Sequence, residues 1–289
     1  MKHTLLFVIG SALSVSAFAQ ASPQSGMVID STGSTPVFVV NVTSRTVEAI
    51  NYRYRDGAAD VALAGTALMP SADGKVKVRS KRGTMEVEAE FGNLQSPKTF
   101  GGEYLTYVLW AISPDGRAVN LGEVLVGGND RSKLTATTDL QTFALIVTAE
   151  PYFAVRQPSD VVVLENVVGP DTKGTAEAVS AKFELMERGG YIPTGYRFDP
   201  VVLDAGLPLE FLEARNAVRI AQSEGAATFA AESYQHADQL MNTANGYATD
   251  RHSDKKQLIA TSRETVQTAE DAREISVNKI EEDRRASER

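Results

Sequence analysis

The distribution of proline and glycine divides this chain at one place. All 11 prolines stand at or before Pro208, and of the 22 glycines only Gly225 and Gly246 follow Gly206. Proline removes a backbone donor and clashes inside a helix, and glycine weakens one, so the last ~80 residues, almost free of both, read as helix. The part before the break is rich in Val, Thr and Tyr and punctuated by turn residues. Strands first and helices second predict the α+β class, with an antiparallel β-sandwich over 36–168 and an Ala-rich antiparallel helical bundle over 207–289.

A length of 289 residues and a 43% hydrophobic content fit two globular domains. The net charge of -8 argues against nucleic acid and against docking on anionic lipid through a basic patch. The N-terminus reads as a signal peptide over 1–19. Lys2 and His3 open it, Thr4 to Leu13 is an apolar core, and Ala17-Phe18-Ala19 supplies small residues for cleavage after Ala19. That apolar run is shorter than the ~20 residues a spanning helix needs. No cysteine is present, so core burial alone must hold the fold, and no lipid-modified cysteine follows the signal peptide. Export to a Gram-negative periplasm, with no membrane-spanning segment in the mature chain, is the expectation.

Residues 20–35 are small and polar and read as a flexible leader. Strand signals begin with Val37–Val42 and Thr46–Tyr54, in which Val47, Ala49, Asn51 and Arg53 face opposite to Ile50, Tyr52 and Tyr54. Ala62–Met69, Lys75–Arg79 and Met85–Phe91 follow, with turns expected at Ala72-Asp73-Gly74 and Arg82-Gly83. Strict alternation of charged and apolar residues in the last two marks a sheet with one wet face. Tyr104–Ile112 reads as a central strand, Pro114-Asp115-Gly116-Arg117 as its turn and Asn120–Val126 as its return. Ser132–Thr138, Thr142–Ala149 and Asp160–Val168 complete the series. Residues 169–206 form an ordered connector in which 182–187 suit a short strand or a helical turn. The helical part starts near Pro208 and carries the stripes Phe211-Leu212-Ala214-Val218-Ala221, Ala230-Tyr234-Ala237-Met241-Ala244-Ala248 and Leu258-Ser262-Thr265-Ala269-Ala272-Ser276. Such thin Ala-rich helices leave room for homo-oligomer formation. The end, from Glu281 on, is polar all round and is expected to project as solvated helix.

Catalytic signals are scarce. His236 and His252 have no partner at ligand spacing, and there is no Cys/His or Ser/His/Asp arrangement. Glu86, Glu88 and Glu90 lie on one strand face opposite Lys75, Lys77 and Arg79, which suits cross-strand charge pairing better than paired-carboxylate hydrolysis. The chain is therefore expected to have no catalytic residues, metal or cofactor. Tyr104, Tyr107 and Trp110 are the candidate ligand-contacting aromatics, although aromatics in strands are more often core.

Glu213-Ala214-Arg215-Asn216-Ala217-Val218, Glu224-Gly225-Ala226 and Thr268-Ala269-Glu270-Asp271-Ala272-Arg273 resemble an Ala-rich helical domain of unknown function found in exported envelope proteins. Phe100-Gly101-Gly102-Glu103-Tyr104 through Ile112, with Gly116-Arg117, Asn120-Leu121-Gly122-Glu123, Thr148-Ala149-Glu150-Pro151 and Pro158-Ser159-Asp160, resemble the N-terminal region of OmpA-family envelope proteins of acidobacterial type. The same stretch is similar, more weakly, to the Ig-like domain of anti-sigma-K factors. These resemblances imply that the sandwich is Ig-like and that the protein is a periplasmic or outer-membrane-associated, non-enzymatic spacer or interaction module. Its implied partners are other envelope proteins or peptidoglycan. The alternative is a periplasmic ligand-binding or signalling module. The peptidoglycan-binding domain with which such OmpA-family proteins continue has no counterpart in this sequence, so none of its residues is carried over.

Overall fold

A computed structural model describes residues 42–52, 57–126, 131–168, 179–186, 206–250 and 252–289. The expected signal peptide, the leader, the run before Val42 and most of the 169–206 connector lie outside the described residues.

Among the described residues ten strands form one antiparallel sheet: β1 Val42–Asn51, β2 Ala58–Gly65, β3 Asp73–Lys81, β4 Thr84–Gly92, β5 Thr106–Ile112, β6 Ala118–Val124, β7 Arg131–Thr138, β8 Thr142–Glu150, β9 Val162–Val167 and β10 Val179–Met186. Strands pair in the run β6-β5-β8-β9-β2-β3-β4-β7, and β6 and β7, its two ends, approach within 8 Å between Cα atoms. The sheet is thus nearly closed around one interior. β1 joins the edge of β8 at Ile50↔Phe143 and Asn51↔Thr142, and β9 takes over that edge at Ile146↔Glu165. Asn166 bridges the handover: it accepts from the Leu145 N–H at 2.8 Å and donates to the Glu48 carbonyl at 2.9 Å. Residues 182–186 belong to a strand, β10, paired with β1 from Val42↔Met186 to Ala49↔Val179, and Glu187 lies outside the described residues.

One expected turn lies elsewhere. Asp73 and Gly74 are inside β3, where Gly74 sits between Leu63 and Phe91, and the chain reverses earlier, through Met69 and Ala72. Glycine serves closeness there: a Cβ at Gly74 would meet the Leu63 side chain and the Glu90 carbonyl at 3.1–3.2 Å. The Arg82-Gly83 turn stands as expected, with positive φ of 52° and 93° matching the twist of a tight hairpin.

Alternation sorts the strands onto two cores. Ile50, Tyr52, Tyr107, Leu109, Phe143, Leu145 and Val147 point into the sheet's interior. Val47, Ala49, Val108, Trp110, Ile112, Ala144 and Ile146 point outward and pack in one cluster with the helices. All seven residues of β5 are buried, because the strand is covered on both faces.

The helices are α1 Leu209–Ser223, a short α2 Ala226–Phe229, α3 Ala231–Thr249 and α4 Lys255–Ser287. Pro208 stands at the start of α1, where a missing N–H costs nothing. Gly225, at φ 80°, breaks the chain between α1 and α2. Asp254 caps α4 by accepting from the Lys256 N–H at 2.9 Å. α4 packs against both α1 and α3. The Leu258-Ser262-Thr265-Ala269-Ala272-Ser276 stripe is buried throughout, and Ala237, Met241 and Ala244 of α3 are buried as well.

Candidate functional site

The helices bring a set of polar groups against the sheet, and the seam between them holds nearly all the unusual chemistry of the described residues. At one end, Glu270 and Arg273 of α4 form a bidentate pair, Nε to Oε2 at 2.7 Å and Nη2 to Oε1 at 2.8 Å. The Tyr152 hydroxyl donates to the same carboxylate at 2.7 Å, and the Arg156 N–H reaches it at 3.3 Å. Arg273 also donates through Nη1 to Glu224 at the end of α1, at 3.3 Å. The Ser276 hydroxyl holds the Glu224 carbonyl at 2.6 Å. Burial, opposed by the Arg273 charge, pushes the Glu224 carboxyl up to about 7. Burial and the Glu270 anion likewise raise the Tyr152 phenol. Outside this buried cluster, the exposed Arg156 guanidinium pairs with Asp271 and Glu274 of α4.

A second chain of bonds lies beneath the helices. Trp110 Nε1 donates to Thr148 Oγ1 at 2.7 Å, Thr148 donates to Glu150, and the Ser159 N–H donates to the same Glu150 oxygen at 2.8 Å. Glu150 is fully buried, and these donors lie between β8 and the loop leading to β9. Asn216 of α1 ties that region to the helices by donating to the Glu103 carbonyl at 2.7 Å and the Pro151 carbonyl at 3.1 Å.

The third group centres on Glu213 of α1, which has no solvent-accessible surface. Neither of its oxygens accepts a hydrogen bond. It faces Glu123 of β6, which accepts from the Thr106 hydroxyl at 2.8 Å and stands 3.6 Å from the Arg263 guanidinium of α4. Arg263 also lies 3.9 Å from Glu210 and 4.1 Å above the Phe153 ring. Burial first, then the charge of Glu123, holds the Glu213 carboxyl well above the usual carboxylate range.

The three aromatics read from the sequence are all inaccessible to solvent, and they do not share a surface. Tyr104 and Tyr107 lie in the sheet's interior, and Trp110 lies on the opposite face under the helices. The Tyr107 hydroxyl donates to the Gln95 carbonyl at 2.9 Å, and burial raises its phenol. Packing accounts for all three: Tyr107 and Trp110 lie on the two covered faces of β5, and Tyr104, just before that strand, packs in the interior. The acidic strand face does pair with its neighbours, partly on the diagonal: Arg79–Glu88 and Lys81–Glu86 at 2.9 Å, with Lys133 of β7 on Glu90 at 2.5 Å.

The surface of the described residues has shallow depressions. One, of about 300 Å3, opens between the start of β6 and the end of β7 and is lined by Arg117, Val119, Thr137, Thr138, Asp139 and Leu140. Another, of about 260 Å3, lies over Ala154, Arg156, Gln267, Glu270 and Asp271. Among the described residues no group of three or more His, Asp or Glu side chains is placed to hold a metal ion, and no helix is long and apolar enough to cross a membrane.

The buried acids and Arg273 escaped the sequence reading, which singled out no charge in the helical part as buried. A signal was present. Leu209, Phe211, Leu212, Ala214, Ala217, Val218, Ile220 and Ala221 leave α1 apolar over far more than one face. A helix apolar nearly all round is covered on several sides, so Glu213 and Asn216 had to be buried with it.

Comparisons with protein-family models, with curated proteins and with solved structures each gave no match.

Proposed function

We propose that the protein is an exported, non-enzymatic component of the cell envelope that acts as a structural spacer or interaction module in the layer between outer membrane and cell wall. The observation that carries this reading is α4. Its first six turns are bedded against α1 and α3, and from Glu282 onward every residue is exposed. That end is held as helix by its own charges, with Arg284 bridging Glu281 at 2.7 Å and Glu288 at 2.5 Å and Arg285 on Glu281 at 2.8 Å. A polar helix running on past the packed part suits holding other components at a distance or presenting a contact surface. The finer architecture, an Ig-like sandwich carrying an antiparallel helical bundle, belongs to the same proposal. It is supported by the antiparallel pairing throughout the sheet and by the packing of α4 on both long helices.

The resemblance to OmpA-family envelope proteins and the N-terminal signal pattern support the compartment. The alternative, a ligand-binding or signalling module, rests on the Ig-like resemblance and on the aromatics around Trp110, and the burial of Tyr104, Tyr107 and Trp110 removes the second of these supports. The expected homo-oligomer also loses its motive, because the small-residue stripes are already covered within the chain. Envelope fractionation, N-terminal sequencing and in-cell crosslinking test the proposal. Recovery from the periplasmic or outer-membrane fraction, starting after Ala19 and crosslinked to envelope proteins or peptidoglycan, is expected. Cytoplasmic recovery with Met1 retained would overturn it.

A further inference from the structure

Among the described residues Glu213 is the buried acid of the seam whose two oxygens accept no hydrogen bond, while the group in front of it is a second carboxylate. Two carboxylates in one desolvated site do not both ionise readily; one proton shared between them removes the repulsion and supplies the missing bond. We propose that Glu213 and Glu123 share one proton and form a pH-sensitive clasp holding α1, and with it the helical region, on the sheet. The Glu213 O–H donates to the Glu123 carboxylate, which also accepts from the Thr106 hydroxyl at 2.8 Å and stands 3.6 Å from the Arg263 guanidinium.

The charged and titratable groups around Glu213 come from each element packed there. Glu123 faces it from β6, Glu210 from α1 itself and Arg263 from α4. With the proton in place the site holds two carboxylates, Glu123 and Glu210, and one guanidinium. When the proton leaves to solvent, a third carboxylate joins them in a place without water, and the same guanidinium must serve all three. The cheapest relief is for α1 to lift its acid into water, which separates the helices from β5 and β6. The raised Glu213 carboxyl agrees with this arrangement, since the neutral form is the one the fold accommodates. A proton fits better than a metal ion, because Arg263 already occupies the cationic position beside Glu123.

The sole tryptophan, Trp110, reports on the event from within: it is fully buried in the cluster shared by β5 and the helices. The experiment follows the full chain from pH 5 to pH 10 by Trp110 emission, by hydrogen exchange of α1 amides and by 13C NMR of the glutamate carboxyls. A reversible transition above neutrality is expected, with red-shifted emission, faster α1 exchange and the Glu213 carboxyl titrating in step. Glu213→Gln keeps a donor toward Glu123 without a titrating group, and Glu213→Leu removes both. Whichever of the two folds should move the midpoint up by at least one pH unit or abolish the transition. A Glu213 resonance titrating in the ordinary carboxyl range would overturn the clasp, and so would a variant midpoint equal to the parent's. A shift of the parent's transition by millimolar Ca2+ that Glu213→Gln removes would make the pair a cation site and overturn it as well.

Discussion

Replacing Arg273 with alanine is the most informative single change to the helix–sheet seam. Arg273 is 6% exposed and supplies the positive charge between Glu270, 1% exposed, and Glu224, 8% exposed. Its bonds at 2.7, 2.8 and 3.3 Å set that charge against both carboxylates. At such separations each ion pair amounts to roughly 4 kcal/mol under an effective dielectric of about 20, and arginine's own desolvation offsets much of that. Deleting one partner of a buried pair, however, leaves the other charges uncompensated, and that costs about 3–5 kcal/mol. Arg273→Ala is expected to lose that much in urea unfolding followed by circular dichroism at 222 nm, pH 8. The loss should shrink at pH 5. Without the guanidinium the Glu224 carboxyl shifts further upward in the folded state, so its stabilising contribution is present at acid pH and disappears as pH rises through its folded value. A loss below about 1 kcal/mol at pH 8, or an equal loss at both pH values, would refute the reasoning.

Further expectations concern single sites. Ala237 is fully buried at the α3–α4 contact, so Ala237→Glu should destabilise by several kcal/mol, whereas Glu282→Ala on the exposed end of α4 should change stability by less than about 0.5 kcal/mol; thermal melts of both variants check this. Glu224, raised from the usual 4.5 to about 7, contributes stability that is complete below pH 4.5 and lost as pH climbs through 7, about 3 kcal/mol for that interval; Glu224→Gln should flatten the stability profile there, and an unchanged profile would argue against it. Breaking the ties of α1 to the sheet loops with Asn216→Ala leaves the Glu103 and Pro151 carbonyls without that donor and should cost about 1–3 kcal/mol, read from urea midpoints.

The parts of this fold that a sequence exposes are those governed by periodicity. In β1 and the residue after it, the division of Val47 and Ala49 from Ile50 and Tyr52 was visible as alternation, and the structure sends the two sets to different cores. The α4 stripe was legible for the same reason. What alternation could not show is which of two covered faces each set meets. Tyr104, Tyr107 and Trp110 therefore read as a possible platform, although the unbroken apolar run of β5 already suited a strand buried on both sides. Gly74 misled because glycine marks a turn and a close approach equally well, and the Leu63 contact decides between them. Glu213, Glu224, Glu270 and Arg273 were invisible for a different reason. Charges are assigned to solvent by default, and only tertiary pairing at particular distances makes their burial tolerable.

The account rests on helices and sheet sharing one core, with Trp110 under the helices as part of it. Urea unfolding of the full chain at pH 6, followed in the same samples by Trp110 emission and by circular dichroism at 222 nm, tests that directly. Coincident single transitions, with Trp110 emission blue-shifted until the helices melt, are the expected result. Loss of the helical signal at lower urea while Trp110 stays buried would contradict it.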